Sequence, residues 1–152
     1  QFYARLAAIL DDLLSREPDQ LANLCNAAAL LGAHLPEVNW VGFYLSRDGE
    51  LVLGPFQGRP ACTRIPVGQG VCGTAAARRE TVVVPDVEAF PGHIACDGAS
   101  RSEIVTPVLG PGGDLFAVLD IDSPVLRRFD EEDAAGLAAV ARVIERRVAL
   151  LG

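Results

Sequence analysis

The stretch Asn39–Phe56, NWVGFYLSRDGELVLGPF, decides the fold because it contains two strands and the turn that joins them. NWVGFYL and LVLGPF are rich in β-branched and aromatic residues, and they flank a turn centred on Asp48 and Gly49. An Asp-Gly pair between two apolar runs is a strong signal for a tight hairpin. The stretch therefore predicts a β-hairpin with antiparallel strands.

The first strand of this hairpin also predicts a recess. Side chains alternate across a strand, so Trp40, Gly42 and Tyr44 share one face and the residues between them share the other. Two aromatic side chains on either side of a glycine leave a small space with apolar walls. We expect this space on the face of the sheet that carries Trp40.

A second hairpin is predicted further along the chain, where EIVTPVL and LFAVLDID are joined through Gly110 to Asp114. Adjacent hairpins favour a mainly antiparallel sheet. On LFAVLDID, Asp120 and Asp122 share one face, and Glu103 opens the partner strand across the hairpin. Two alternating acids can simply mark a solvated strand edge. Phe116 and Val118 occupy the same face, however, so this face is not simply exposed to water. If the faces of the two hairpins coincide, three carboxylates line the recess.

Helical periodicity at both ends of the chain completes the fold class. The apolar positions of the three predicted helices are Phe2, Leu6, Ile9, Leu10 and Leu13, then Leu21, Leu24, Cys25, Ala28 and Leu31, and finally Leu137, Val140, Ala141, Ile144, Val148 and Leu151. Asp19 is the expected N-cap of the second helix, and the acidic turn Asp130–Asp133 suits the start of the last. We predict one α+β domain over residues 1–152, with a central antiparallel sheet and the terminal helices packed together on one of its faces.

The stretch Val67–Ala75, VGQGVCGTA, has the G-x-G-x-x-G spacing of a dinucleotide site with Cys72 inside it. Such a site needs a crossover helix followed by a parallel strand. Only the few residues Thr74–Arg79 precede the extended segment TVVVPD, whereas a parallel crossover usually takes about ten or more. We interpret the glycines as a tight loop into a short helix, near whose N-terminus the dipole would favour a Cys72 thiolate.

Composition limits the classes of function. The chain has 152 residues, of which 50% are hydrophobic, and a net charge of −7. This charge opposes nucleic acids and anionic membranes as partners, and no apolar run approaches the roughly 18 residues of a membrane span. A chain of this size does not need its four cysteines as a disulfide framework, so we expect a cytoplasmic protein.

The cysteines nevertheless point to chemistry. Cys25 lies on the apolar stripe of its helix and is expected to be a small buried hydrophobe. The remaining three are an odd set that cannot close into static pairs, which indicates at least one working thiol. Without a C-x-x-C pair, and with only His93 close in sequence, we predict no metal and no cofactor. Cys96 lies in a long connection, FPGHIACDGASRSEIV, which is either a functional loop or an ordinary surface loop with an incidental thiol.

Several of these segments together resemble a known family. They are NWVGFYL, LVLGPFQG, ACTRIPVGQGVCGTAA, VVVPDV, FPGHIACDGASRSEIVTPV, LDIDSP and FDEED, which run from about Trp40 to the final helix. Their sequences are similar to those of the free methionine-R-sulfoxide reductases, enzymes built on a single GAF domain. The resemblance implies thiol-dependent reduction of the R epimer of the free amino acid methionine sulfoxide, and a pocket on the sheet face opposite the terminal helices.

The resemblance also implies roles for individual residues. Cys96 corresponds to the catalytic thiol, Cys62 to the principal resolving thiol and Cys72 to a third redox cysteine. Trp40 and Tyr44 would form the hydrophobic wall around the substrate methyl group.

The acidic groups of the site would be Glu103, Asp120 and Asp122. A sulfoxide is a poor electrophile until its oxygen is protonated, so a carboxyl group of Glu103 or Asp120 is expected to donate a proton while Cys96 attacks sulfur. Asp122 would pair with the substrate ammonium group.

The expected partners follow from the same resemblance. An intramolecular disulfide has to be reduced by an external dithiol such as thioredoxin. GAF domains often pair through exposed helical faces, which suggests a homodimer. The alternative function is a GAF sensory module that binds a small ligand or senses redox state, although such modules usually accompany output domains and have no need of three cysteines.

Overall fold

A computed structural model describes residues 1–94 and 98–149 of the chain. Its elements in chain order are α1 (Phe2–Leu14), α2 (Gln20–His34), β1 (Trp40–Arg47), β2 (Glu50–Gln57), β3 (Arg64–Pro66), α3 (Gly70–Arg78), β4 (Val82–Val84), β5 (Ser102–Leu109), β6 (Leu115–Ser123) and α4 (Glu131–Arg147). Short 3₁₀ turns occupy Val87–Ala89 and Pro111–Gly113. The predicted α+β class is confirmed.

The strands form one six-stranded sheet in the order β3-β2-β1-β6-β5-β4. Every pairing in it is antiparallel, and both predicted hairpins are present as β1-β2 and β5-β6. At the first turn, Asp48 and Gly49 both have positive φ, as a two-residue hairpin turn requires. An antiparallel sheet excludes a dinucleotide-binding crossover at Val67–Ala75, where the glycines instead lead into the short helix α3.

The two faces of the sheet carry separate hydrophobic clusters. The terminal helices α1, α2 and α4 pack with Val41, Phe43, Leu119 and other alternate strand residues on one face. Helix α3 packs with Trp40 and other residues on the opposite face. This arrangement confirms that the helices from both ends of the chain share one face and leave the other to the recess.

The helix starts agree with the sequence. The Asp19 carboxylate accepts a hydrogen bond from the Ala22 N–H at 2.8 Å, and Asp130 forms a capping box with Asp133 at the start of α4. These caps satisfy backbone N–H groups that have no partner within the helix.

Two details of the predicted burial are wrong. Cys25 is exposed, as is Leu21, because the buried stripe of α2 runs through Leu24, Ala27, Ala28 and Leu31 and leaves both on its flank. In α1 the buried residues are Leu6, Leu10 and Leu14, while Phe2, Ile9 and Leu13 are between 40% and 47% exposed. The apolar stripe on each of these helices is therefore wider than the part of it that is buried against the core.

Phe116 is a further correction to the sequence prediction. It packs against the cluster on the helix side of the sheet rather than beside the aspartates. The pairing of β5 with β6 shifts at Val108 and Leu109, and a shift of one residue moves the side chains beyond it to the opposite face. Val118, on the regular side of this shift, lies on the predicted face.

Candidate active site

A pocket opens on the sheet face that carries Trp40, between the strands and α3. Two aromatic side chains, three acids and one cysteine are among the residues that line it. The full set of described lining residues is Trp40, Tyr44, Ala61, Ile65, Gly70, Val71, Cys72, His93, Ile94, Ser100, Glu103, Asp120 and Asp122. The predicted coincidence of the two hairpin faces is thus realised in the fold, because β1 and β6 are direct neighbours in the sheet.

Strand register brings the acids to the aromatic wall. Asp122 lies opposite Trp40 on one side and opposite Glu103 on the other, while Asp120 lies opposite Gly42. Trp40, Asp122 and Glu103 therefore form one row across three neighbouring strands. Asp120 lies two residues before Asp122 on β6, on the same face of the sheet. Side chains directly opposite in adjacent strands are close enough to interact.

Gly42 provides the space that the aromatic wall needs. A Cβ atom at this position would overlap the Cβ atom of Phe56 and lie 2.7 Å from the Trp40 ring atom Cη2. The Trp40 ring stacks on Tyr44 at a centroid distance of 5.9 Å and on Phe56 at 5.1 Å. The glycine thus lets three aromatic rings lie against one another over the sheet.

Phe56 is a member of this wall that the sequence did not reveal. In a regular hairpin with its turn at Asp48 and Gly49, Gly42 would face Pro55. A bulge between Gly42 and Tyr44 moves Phe56 opposite Gly42 instead. The Gly54-Pro55 pair inside β2 is the available signal, since both residues mark irregular strand positions.

The polar ends of the two aromatics hold the segment that contains Cys62. The Trp40 indole N–H donates to the Arg59 carbonyl at 3.1 Å, and the Tyr44 hydroxyl donates to the Cys62 carbonyl at 2.9 Å. Buried indole and phenol groups usually find such partners. Cys62 is disulfide-bonded and partly buried, and it packs against the hydrophobic cluster that contains Trp40 and Tyr44.

Cys72 lies deep in the pocket. It is a free thiol in the first turn of α3, 4% exposed, and its Sγ donates to Glu103 Oε2 at 3.9 Å. The predicted position near a helix N-terminus is confirmed, but the predicted thiolate is wrong. Burial, followed by the charges of Asp120 and Glu103, raises the pKa of Cys72 well above its ordinary value. Desolvation and two nearby acids outweigh the helix dipole.

The carboxyl groups have raised pKa values as well. Burial, and then the charge of Asp120, raises the pKa of Glu103 well above its ordinary value, and burial together with the charge of Asp122 does the same for Asp120. Asp120 Oδ1 has no hydrogen-bond partner among the described residues. A raised pKa favours the protonated form of a carboxyl group, which is the form that can act as a general acid.

Cys72, Glu103 and Asp120 also have the composition of a metal-binding group, since their ligand atoms lie within 4.8 Å of one another. Binding of a metal ion would release any protons that these groups carry, because a metal ligand has to be deprotonated.

Of the predicted site residues, the structure brings together Trp40, Tyr44, Cys72, Glu103, Asp120 and Asp122 as pocket lining, with Cys62 packed beside them. Cys96, the predicted catalytic thiol, lies outside the described residues. His93 was noted in the sequence only as a metal ligand to be weighed, and it lines the same pocket.

The arrangement of this pocket beneath α3 on an antiparallel sheet defines a class of protein, the GAF domains, and the sequence matches the GAF domain family over residues 12–148. The chain is 55% identical over 149 residues to protein YtsP of Bacillus subtilis, covering 97% of this chain and 91% of that protein. It is 50% identical over 149 residues to the free methionine-R-sulfoxide reductase of Escherichia coli, covering 98% of this chain and 90% of that protein.

A solved structure gives the same result. The free methionine-R-sulfoxide reductase from Neisseria meningitidis, solved in complex with its substrate, superposes with a TM-score of 0.91 at 50% identity, covering 95% of this chain and 87% of that one. The chain therefore belongs to the GAF domain family and, within it, to the free methionine-R-sulfoxide reductases.

Proposed function

We propose that this protein reduces free L-methionine-(R)-S-oxide to L-methionine. The observation that carries the proposal is the pocket that Glu103 and Asp120, two buried acids with raised pKa values, line together with the aromatic side chains of Trp40 and Tyr44. Such a site offers apolar contact to a methyl group and a proton to a sulfoxide oxygen. The names of the E. coli and N. meningitidis relatives support the same substrate.

The chemistry runs in two thiol steps. The Cys96 thiolate attacks the sulfoxide sulfur while Glu103 or Asp120 donates a proton to the oxygen. The oxygen passes to Cys96, which becomes a sulfenic acid, and methionine leaves. Cys62 then attacks the Cys96 sulfur, the S–O bond breaks, water leaves and a Cys62–Cys96 disulfide forms.

The state of the described cysteines supports this division of roles. Cys62 is disulfide-bonded, whereas Cys25 and Cys72 are free. A buried Cys72 with a raised pKa is a poor attacking group in this state and serves as a hydrogen-bond donor to Glu103. Cys72 would act as the third redox thiol only after a rearrangement exposes it.

Asp122 is proposed to bind the substrate ammonium group. It lies between Trp40 and Glu103 in the strand register, within reach of the α-amino group of a substrate whose methyl group contacts the aromatic wall. A peptide-bound methionine sulfoxide lacks that charge. This contact would therefore favour the free amino acid.

We further propose that a thioredoxin-like dithiol reduces the disulfide, that the protein works in the cytoplasm, and that it forms a homodimer. A reducing compartment suits an enzyme that needs its thiols restored in every cycle. The dimer is supported by the exposed apolar stripe Phe2, Ile9 and Leu13 on α1, which light scattering on the purified chain would test. Within the described residues, no helix is long and apolar enough to cross a membrane.

The function is tested by supplying the R and S epimers of free methionine sulfoxide separately, with dithiothreitol as reductant, and measuring methionine by chromatography. We expect methionine from the R epimer alone. Cys96→Ser should abolish turnover, and Cys62→Ser should form one methionine per active site. Cys25→Ser is the matched control, because Cys25 is exposed on the opposite face of the sheet. If folded, reduced protein makes no methionine from either epimer, the reductase proposal is wrong and the sensory module takes its place.

A further inference from the structure

One basic side chain, His93, stands among the described residues that line the pocket. Its Nε2 lies 3.9 Å from Glu103 Oε1, while the other carboxyl oxygen of Glu103 accepts from Cys72. The His93 side chain is 18% exposed and that of Glu103 is 9% exposed. The imidazole is therefore the more solvent-exposed member of this pair.

The proposed reaction requires Glu103 to be reprotonated after each turnover. When Glu103 donates its proton to the sulfoxide oxygen, it is left as a carboxylate in a site whose burial and neighbouring charges favour the protonated form. The proton has ended on the oxygen of the Cys96 sulfenic acid and later leaves in water. Glu103 must therefore regain one proton in each cycle before it can act again, and the balance is closed by the proton that Cys96 releases to solvent when its restored thiol becomes the thiolate.

We propose that His93 is a positioning residue that returns this proton from solvent to Glu103. The inference rests on the proposed function and adds a residue to it. The separation of 3.9 Å exceeds a hydrogen bond by about 1 Å, so the transfer requires the two side chains to approach each other. His93 accepts a proton from solvent on Nδ1 and releases one from Nε2 to the carboxylate, so that atoms and charge balance.

The electrostatics of the pocket favour this direction of transfer. Burial lowers the pKa of His93, so the imidazole is neutral at pH 7 and gives up an acquired proton readily. The acceptor Glu103 has a raised pKa. The other titratable groups around His93 are Cys72 on α3, Asp120 and Asp122 on β6, and Tyr44 on β1. None of these described residues carries a basic side chain.

The test compares His93→Gln and His93→Ala with the matched control His34→Ala, since His34, the second histidine of the chain, is exposed at the end of α2 on the other side of the sheet. Methionine is measured in a single turnover of pre-reduced protein and in steady state from pH 6 to pH 9 at saturating dithiothreitol. We expect both His93 variants to keep the single-turnover yield and to lose at least about tenfold in steady-state rate, with the loss growing as pH rises.

Chemical rescue separates proton return from a structural role. Added imidazole should restore the steady-state rate of His93→Ala and leave His34→Ala and the wild-type protein unchanged. A His93→Ala variant with the wild-type rate and pH profile overturns the inference, and so does a slow variant that imidazole does not accelerate. If the wild-type protein itself forms no methionine in a single turnover, the proposed function fails, which is a distinguishable result.

Discussion

At the residue scale, Gly42 leaves the room that the aromatic wall of the pocket requires. Because glycine has no side chain, the Trp40 and Phe56 side chains can occupy the space beside it. Trp40 and the acids on β5 and β6 line the same pocket. A side chain at position 42 is therefore expected to disturb the wall that these acids share.

Gly42→Ala should push the Trp40 ring out of place. The added Cβ would lie 2.7 Å from the ring and overlap Phe56, both of which are firmly packed. We expect KM for methionine sulfoxide to rise and stability to fall by about 1 to 3 kcal/mol, as for other overpacked cores. Kinetics and urea unfolding measure the two effects.

Gly32→Ala is the control for this substitution. In α2, the nearest atom to an added Cβ is Gln57 Cβ at 3.5 Å, an ordinary contact, and alanine is the better helix former. This variant should keep its KM and lose no stability. Equal behaviour of the two alanine variants would contradict the role given to Gly42.

Sequence reasoning succeeded at this scale wherever strand alternation held. Trp40, Tyr44, Glu103, Asp120 and Asp122 could be placed on one face because a strand has a period of two and the hairpins fixed their neighbours. The positions of Phe56 and Phe116 were not predicted, because bulges shift the strand register at both places. Whether a bulge forms depends on the whole sheet. The thiolate predicted for Cys72 failed because its acidic neighbours come from β5 and β6, far away in sequence.

At the element scale, the first and last helices of the chain are joined near their N-termini. The Tyr3 hydroxyl on α1 donates to Asp133 in the capping box of α4. Gly136 permits this approach, since a Cβ there would overlap the Tyr3 ring. The caps at Asp19 and Asp130 were predictable from local sequence, whereas the contact between α1 and α4 spans the chain and was not.

Tyr3→Phe should weaken the α1–α4 contact in a way that depends on pH. Burial raises the pKa of Asp133, but hydrogen bonds from Tyr3 and the Asp130 backbone outweigh it and lower the pKa overall. A lowered carboxyl pKa gives stability that is present above the unfolded value of about 3.9 and is lost as pH falls through the folded value. Urea unfolding should show a loss of about 1.5 kcal/mol at pH 7 and a smaller one at pH 3. A loss that does not change with pH would mean that Tyr3 acts through packing alone.

At the scale of the whole molecule, the sheet separates a stabilising face from a reactive one. The cluster with α1, α2 and α4 is apolar, whereas the cluster with α3 surrounds buried acids. Glu103 and Asp120 have raised pKa values in the folded protein, so each contributes stability that is fully present below its unfolded pKa of about 4 and is lost as pH rises through the folded pKa. The site therefore destabilises the fold as solutions become alkaline.

Asp120→Asn should remove part of this pH dependence. The amide has a similar shape and cannot ionise, so the free energy of unfolding should fall less steeply with pH than in the wild-type protein. The largest change from one proton is about 1.4 kcal/mol per pH unit. Urea unfolding between pH 5 and pH 9 measures it, with Asp12→Asn on the outer part of α1 as the exposed control. A wild-type slope in Asp120→Asn would show that Asp120 titrates in the folded protein much as it does in the unfolded chain.

Trp40 is the single tryptophan of the chain and lies 2% exposed in the pocket between Tyr44 and Phe56. Its intrinsic fluorescence therefore arises from the site alone, with no background from tryptophan elsewhere. We expect a ligand that contacts the indole to change this emission. The unlabelled protein thus has a built-in optical probe with which the occupancy of its own pocket can be followed in real time.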